Sequence, residues 1–191
     1  MLTNCMETFI RQEFISGKTC QHLIELFNNS VEKGAGTVWC GTVDGIINSK
    51  EKSSTECRYS IFDEELTNFR QELQSVLESY IKTYPYCNSY SGFTITEQVK
   101  IQYYRPGEGY VVYHTERGSP DPTNSSRHLV FMTYLNTVKD GGGTEFFHQK
   151  LTTSAEQGKT LIWPADWTHT HRGITSLTEE KYIVTGWYSF I

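Results

Sequence analysis

Apolar residues recur every three to four positions in two stretches of the first half of the chain, and at every second position in short runs after about residue 90. In the first stretch Cys20, Leu23, Ile24 and Phe27 share one helical face, and Ser16 before them suits an N-cap, so a helix is expected to end near Asn28 to Ser30. The preceding run FIRQEFI reads as a strand. The second stretch, from Asp63 to about Lys82, places Leu66, Phe69, Leu73, Val76, Leu77 and Tyr80 in one row, with Asp63 as the expected N-cap. That row is read as core. Between the two, residues 31–57 are rich in Gly, Ser, Thr and Lys, with apolar islands at Val38-Trp39-Cys40 and Ile46-Ile47. They read as ragged strands or a loop, either plain surface or a flap over a substrate.

After YPYCNSYSG the period becomes two, and β-branched or aromatic runs separated by turns continue to the end. The expected strands are Phe93–Ile95, Val99–Tyr104, Tyr110–His114, Leu129–Leu135, Glu145–Phe147, Thr160–Trp163 and Tyr182–Phe190. Helices first and strands afterwards, without βα alternation, predict an α+β chain: an antiparallel barrel or sandwich with the helices packed outside. Lys139-Asp140-Gly141-Gly142-Gly143 tolerates positive φ and predicts a hairpin. No repeat or linker is evident, so 1–191 reads as one domain, with helical support over about 1–90 and the barrel over about 91–191.

A net charge of −5 without a basic run argues against a nucleic-acid partner. Cys5, Cys20, Cys40, Cys57 and Cys87 are odd in number, scattered and without a CxxC, which suggests reduced thiols rather than a disulfide framework or a zinc cluster. Charges interrupt the apolar runs of the N-terminus, and no stretch is long enough to span a bilayer. A soluble intracellular (cytoplasmic) protein, without a membrane partner, is therefore expected.

The candidate chemistry begins at His114-Thr115-Glu116. In an extended strand residues i and i+2 share a face, so this imidazole and this carboxylate can converge on one point. A third ligand would come from WTHTHRG, where His169 and His171 are both candidates, with Lys181 ten residues beyond the latter. Two His and one carboxylate suit non-haem Fe(II), with three positions left open. Taken singly, His-x-Glu is an ordinary strand pair, PGEG a turn, GGGT a hairpin and a strand lysine an edge residue. Their joint occurrence is what points to an oxygenase site.

The combination of Tyr104 followed by PGEGY and His-x-Glu, RHLVFMTYLN at 127–136, GGGTEF at 141–146, and HRG, KY and W within 171–187 resembles the Fe(II)- and 2-oxoglutarate-dependent dioxygenases, in their prolyl 4-hydroxylase-like branch. The resemblance covers the C-terminal half well and the N-terminal helices loosely. It implies a double-stranded β-helix (jelly-roll) barrel. It also implies His114, Glu116 and His171 as iron ligands, and Lys181 paired with the far carboxylate of 2-oxoglutarate beside Tyr134 and Thr144. Tyr104 and Arg127 would stand behind the ligands or on the substrate side, and Trp187 would wall the pocket. The ten-residue step to lysine and the Arg-Gly after it favour His171 over His169, while His22, His128 and His148 have no matching role. The implied reaction consumes dioxygen and 2-oxoglutarate and hydroxylates an unactivated C–H bond, with ascorbate as a reductant. A prolyl residue in a peptide or protein is the implied substrate, and a free amino acid or other small molecule the alternative. A non-redox cupin-type metal protein is the competing class, one that needs no Lys181, Tyr134 and Thr144 clamp. The family usually has His-x-Asp, so Glu116 is longer by one methylene, and its carboxylate argues against a halogenase.

Overall fold

The computed structural model describes residues 7–38 and 46–191, so Cys5, Cys40 and the Trp39-Cys40 part of the first apolar island lie outside the described residues. In chain order the elements are β1 (Arg11–Phe14), α1 (Gly17–Asn29), β2 (Gly34–Ala35), β3 (Thr55–Tyr59), α2 (Thr67–Thr83), β4 (Phe93–Thr94), β5 (Val99–Tyr104), α3 (Pro122–Ser126), β6 (Arg127–Tyr134), β7 (Thr144–Phe146), β8 (Leu151–Thr153), β9 (Lys159–Pro164), β10 (His171–Gly173) and β11 (Lys181–Phe190). A large antiparallel sheet runs β1-β9-β6-β11-β5-β3-β2, with β4 pairing the end of β11, and a smaller one runs β10-β7-β8. The architecture is the double-stranded β-helix, with α1 and α2 outside it.

Period-two alternation divides the side chains of the large sheet into two layers. Leu129 and Phe131 of β6, Ile101 of β5 and Val184 of β11 meet Leu23, Phe27, Phe69, Leu73 and Tyr80 of the helices. Val130, Met132, Tyr134, Ile183 and Trp187 point the other way, toward Phe146 and Trp163. Each fully buried Leu or Phe of the helix layer contributes about 1.5–3 kcal/mol, so this layer clamps the back of the sheet that carries the site. The Ser16 hydroxyl accepts from the Thr19 N–H and caps α1 as expected. Glu72 of α2 accepts hydrogen bonds from the Ser16 and Thr19 hydroxyls at 2.9 and 2.6 Å, tying the two helices together. Of the described residues, Cys20, Cys57 and Cys87 are free thiols, and no helix is long and apolar enough to cross a membrane.

Three expectations are corrected. Asp63 precedes a 3-10 turn, Glu64–Leu66, and its carboxylate accepts from the Ser60 N–H at 2.9 Å, so it is not the cap of α2, which begins at Thr67. Residues 139–143 do not form a hairpin, because both edges of β6 are already occupied by β9 and β11, and β7 must join the other sheet. The chain crosses over through Gly141 and Gly142 at φ 89° and 70°, while Asp140 accepts hydrogen bonds from the Leu177 and Thr178 N–H groups at 3.2 and 3.1 Å. A Cβ on Gly143 would stand 1.9 Å from the Thr153 carbonyl oxygen, so the third glycine is required by close approach.

Tyr110–His114 is not a strand, since its backbone bonds go to different partners: Val111 donates to Glu51, Gly173 donates to Tyr110, and His114 pairs with His171. Within the ragged 31–57 region and just beyond it, β3 is a genuine strand paired with β5 from Thr55↔Tyr103 to Tyr59↔Val99. β8 and β10, of three residues each, are too short to show an alternating pattern in the sequence.

Candidate metal centre

β10 and the segment ending in Glu116 meet through one antiparallel bridge. The His114 N–H donates to the His171 carbonyl and the His171 N–H to the His114 carbonyl, each at 3.0 Å. That bridge brings together two side chains 57 residues apart. The Nε2 atoms of His114 and His171 lie 3.5 and 3.6 Å from Glu116 Oε1, and one potential ligand atom from each of the three residues lies within 4.8 Å of the others. Each Nδ1 faces a carbonyl, Val112 O at 3.0 Å for His114 and His169 O at 2.9 Å for His171. A carbonyl can only accept, so Nδ1 carries the proton and the Nε2 lone pair is directed at the common point.

Glu116 already lies in the turn beyond the bridge, and its longer side chain returns Oε1 to both imidazoles. Its other oxygen accepts from the Trp187 indole N–H at 3.0 Å. Arg127 holds the backbone, donating to the Glu116 carbonyl at 3.0 Å while forming two bonds with Glu97 at 2.7 and 2.6 Å. Its guanidinium lies 3.6 Å from the Trp187 ring centroid. Tyr110 stacks on His114 at 3.7 Å, which fixes that imidazole from the side. Burial and the neighbouring His171 lower the pKa of His114, which favours the neutral, ligating form. Burial alone would raise Glu116, but the imidazoles of His114 and His171 beside it hold its carboxyl well below the usual range. Two neutral imidazoles and a carboxylate with mutually accessible lone pairs fit a divalent metal with an open coordination face.

His169 is placed elsewhere. It ends a 3-10 turn, Trp167–His169, and its Nε2 and Nδ1 bond Thr8 O and the Thr168 hydroxyl at 2.9 and 3.0 Å. An extended THTH would have aligned both histidines, but the turn rotates one away. His22, His128 and His148 lie outside the triad; the first two face the carbonyls of Glu65 and Cys87.

The triad opens onto a cavity of about 470 Å³ that is also lined by Tyr104, Thr144, Lys181 and Trp187. Lys181, the first residue of β11, is 6% exposed; its Nζ donates to Gly142 O at 3.2 Å and lies 4.6 Å from the Tyr104 ring centroid. Among the described residues it has no carboxylate partner, and burial brings its pKa down to about 8. A Cβ on Gly173, two residues after His171, would stand 3.8 Å from that ammonium, so the cation adjoins the metal strand. Tyr134 is behind Thr144: its hydroxyl shares hydrogen bonds with Thr144 and Thr153 at 2.7 and 2.9 Å, and it reaches the cavity only through Thr144. The Tyr104 hydroxyl donates to Gln102 at 2.7 Å. Sequence reasoning missed the support of Glu116 by the Trp187 indole and the pairing of Glu97 with Arg127. No local pattern marks either contact.

Residues 99–189 match the family model of the 2OG-Fe(II) oxygenase superfamily. In structure the chain is similar to the viral collagen prolyl hydroxylase of Paramecium Bursaria Chlorella virus-1 in its 2OG complex, at TM-score 0.70 and 18% identity over 98% of this chain and 99% of that one. It is also similar to a prolyl hydroxylase of Trichoplax adhaerens in complex with a peptide fragment of the hypoxia inducible factor oxygen degradation domain, at 0.73 and 15% over 96% and 84%. A Pseudomonas putida prolyl-4-hydroxylase matches at 0.68 and 14% over 95% and 92%. Among curated proteins, none matches the chain in sequence. Residues 99–189 are thus similar to the 2OG-Fe(II) oxygenase superfamily, and the fold is that of the prolyl hydroxylases.

Proposed function

We propose that this 2-oxoglutarate-dependent dioxygenase holds Fe(II) through His114, Glu116 and His171 and hydroxylates an unactivated C–H bond of a prolyl residue in a peptide or protein. The observation that carries this reading is the triad facing the same cavity as a buried, carboxylate-free lysine. A lone ammonium in such a place is costly unless an anion joins it. Lys181 pairs with the far carboxylate of 2-oxoglutarate, and the Thr144 hydroxyl, itself fixed by Tyr134, donates to the same group. Tyr104 supports the cosubstrate from the neighbouring strand, paired with Lys181 in register. Trp187 and Arg127 keep Glu116 in its ligating position. Bound iron supplies the redox chemistry by which dioxygen and 2-oxoglutarate become succinate, carbon dioxide and one oxygen atom in the product.

A clamp of this kind has no use in a cupin-type protein without 2-oxoglutarate, and the superfamily match favours the oxygenase. The case for a peptide rests on the likeness to prolyl hydroxylases, one of them bound to a peptide, and on the cavity's open mouth beside residues 117–126. Proline-containing peptides are expected to stimulate succinate formation above the uncoupled background and to gain one oxygen atom by mass spectrometry, with free proline a poor substitute. Stimulation by a free amino acid, with silence across a broad panel of proline peptides, would move the assignment to a small-molecule hydroxylase.

A further inference from the structure

Once the charged groups around the cavity have been given their parts, two cations remain. Lys52 is paired with the buried Glu56, and Arg127 with Glu97. Asp121 accepts from the Thr123 and Asn124 N–H groups and caps α3. In the proposed function Lys181 takes the cosubstrate carboxylate. Lys100 and Arg58 also line the cavity, yet among the described residues neither forms an ion pair. They are cross-strand partners, Arg58 on β3 directly opposite Lys100 on β5, so both side chains leave the same face of the sheet. Like charges in that position repel. Lys52 adds a third positive charge nearby; of the two neighbouring carboxylates, Glu56 is already bonded to it, and Glu116 is held by the Trp187 indole within the triad.

Lys100 is not an edge lysine turned to solvent. β5 lies between β11 and β3, and the inward face of β5 also carries Gln102 and Tyr104. The Lys100 ammonium is 5.0 Å from the centroid of the Trp187 ring, the same indole whose N–H holds Glu116. It therefore stands one indole away from the metal triad. Arg58 is exposed, nearer the mouth. Burial, and then repulsion by Lys52, push Lys100 down to about 8.

We propose that Lys100 and Arg58 form a subsite for a carboxylate of the substrate, Arg58 drawing it in at the mouth and Lys100 holding it beside Trp187. The proposal rests on the functional reading of the triad and Lys181 given above, and narrows its substrate to an anionic one. An anion between the two cations would relieve their repulsion and place the reacting carbon within a residue or two of the carboxylate. That carboxylate can be the α-carboxylate of a C-terminal or free amino acid, or the side chain of an Asp or Glu next to the hydroxylated residue.

The test uses the full chain loaded with Zn(II), which is redox-inert, and saturated with 2-oxoglutarate so that Lys181 is occupied. N-acetylproline, N-acetylaspartate α-methylamide and the neutral N-acetylprolinamide are titrated by calorimetry or NMR. At least one acid is expected to bind tenfold or more tightly than the amide, and which acid does so identifies the source of the carboxylate. Lys100→Met should bring acid and amide within about twofold of each other, Lys100→Arg should retain most of the preference, and Arg58→Gln should lessen it. Zn(II) and 2-oxoglutarate binding, measured on each variant, report whether it is folded, and Arg58→Gln carries the test if Lys100→Met is not. Equal binding of acids and amide, or a preference that survives Lys100→Met, overturns the subsite. Failure of the proline assignment shows itself separately, as a carboxylate preference without turnover of any proline peptide.

Discussion

Replacing His171 with alanine is expected to abolish stoichiometric Fe(II) binding, while replacing His169 leaves most of it. The two residues are two apart in sequence and both are buried, yet only His171 directs Nε2 toward Glu116 Oε1, at 3.6 Å. His169 spends both ring nitrogens on Thr8 O and the Thr168 hydroxyl and touches the centre only through its backbone carbonyl, which orients His171. That carbonyl survives a side-chain substitution. Loss of a supporting contact behind a metal ligand typically costs about 10–100-fold in affinity, so loss of one of three ligands should exceed about 100-fold. His169→Ala should instead lower stability by about 1–3 kcal/mol, through the Thr8 carbonyl left without its partner. Anaerobic calorimetry with Fe(II) on both variants, alongside thermal melts, separates the two outcomes, and the reverse pattern of metal binding would mean that the triad is wrongly drawn.

Lys181→Ala should weaken 2-oxoglutarate by about 2–5 kcal/mol while leaving metal affinity nearly intact, because the substitution removes a buried cation of the cavity that has no carboxylate partner among the described residues, without touching an atom of the triad. The pH dependence gives a second signature. In the free protein, burial brings Lys181 to about 8. A bound dicarboxylate favours the charged ammonium and raises that pKa, so binding takes up a proton above pH 8. Cosubstrate affinity should then be full below about pH 8 and fall by up to tenfold per unit as pH rises through the free-protein value. The alanine variant should lose this dependence. Unchanged affinity in the variant, read from the visible charge-transfer band of the anaerobic Fe(II)·2-oxoglutarate chelate, would remove Lys181 from the clamp.

Residues whose role is set by near neighbours could be read from the chain. Ser16 caps α1 and the row from Leu66 to Tyr80 packs against the sheet, because helical period and a hydroxyl before it are local features. Val99–Tyr104 emerges as a strand with the bounds its alternation implies. The residues that line the cavity are legible for a different reason: the resemblance of their motifs to the 2-oxoglutarate-dependent dioxygenases implies them. Errors arose where one segment depends on the occupancy of another. Lys139–Gly143 has the composition of a hairpin, but whether it turns back is decided by β9 and β11, which already hold both edges of β6.

By itself, then, the sequence determined the two helices, the antiparallel β-character of the C-terminal half, and the His-x-Glu and histidine donors that meet in the triad, since periodicity and donor chemistry are carried by the residues themselves. Tertiary structure turned His169 away from Glu116 where the sequence only favoured His171, made the Trp187 indole a support for that carboxylate, placed Tyr134 behind Thr144, and set Arg58 opposite Lys100. These are relations between residues from 10 to 71 positions apart or, for the two histidines, a rotation imposed by one 3-10 turn. Strand register and turn geometry fix where a side chain points, and neither is a property of the few residues on either side of it.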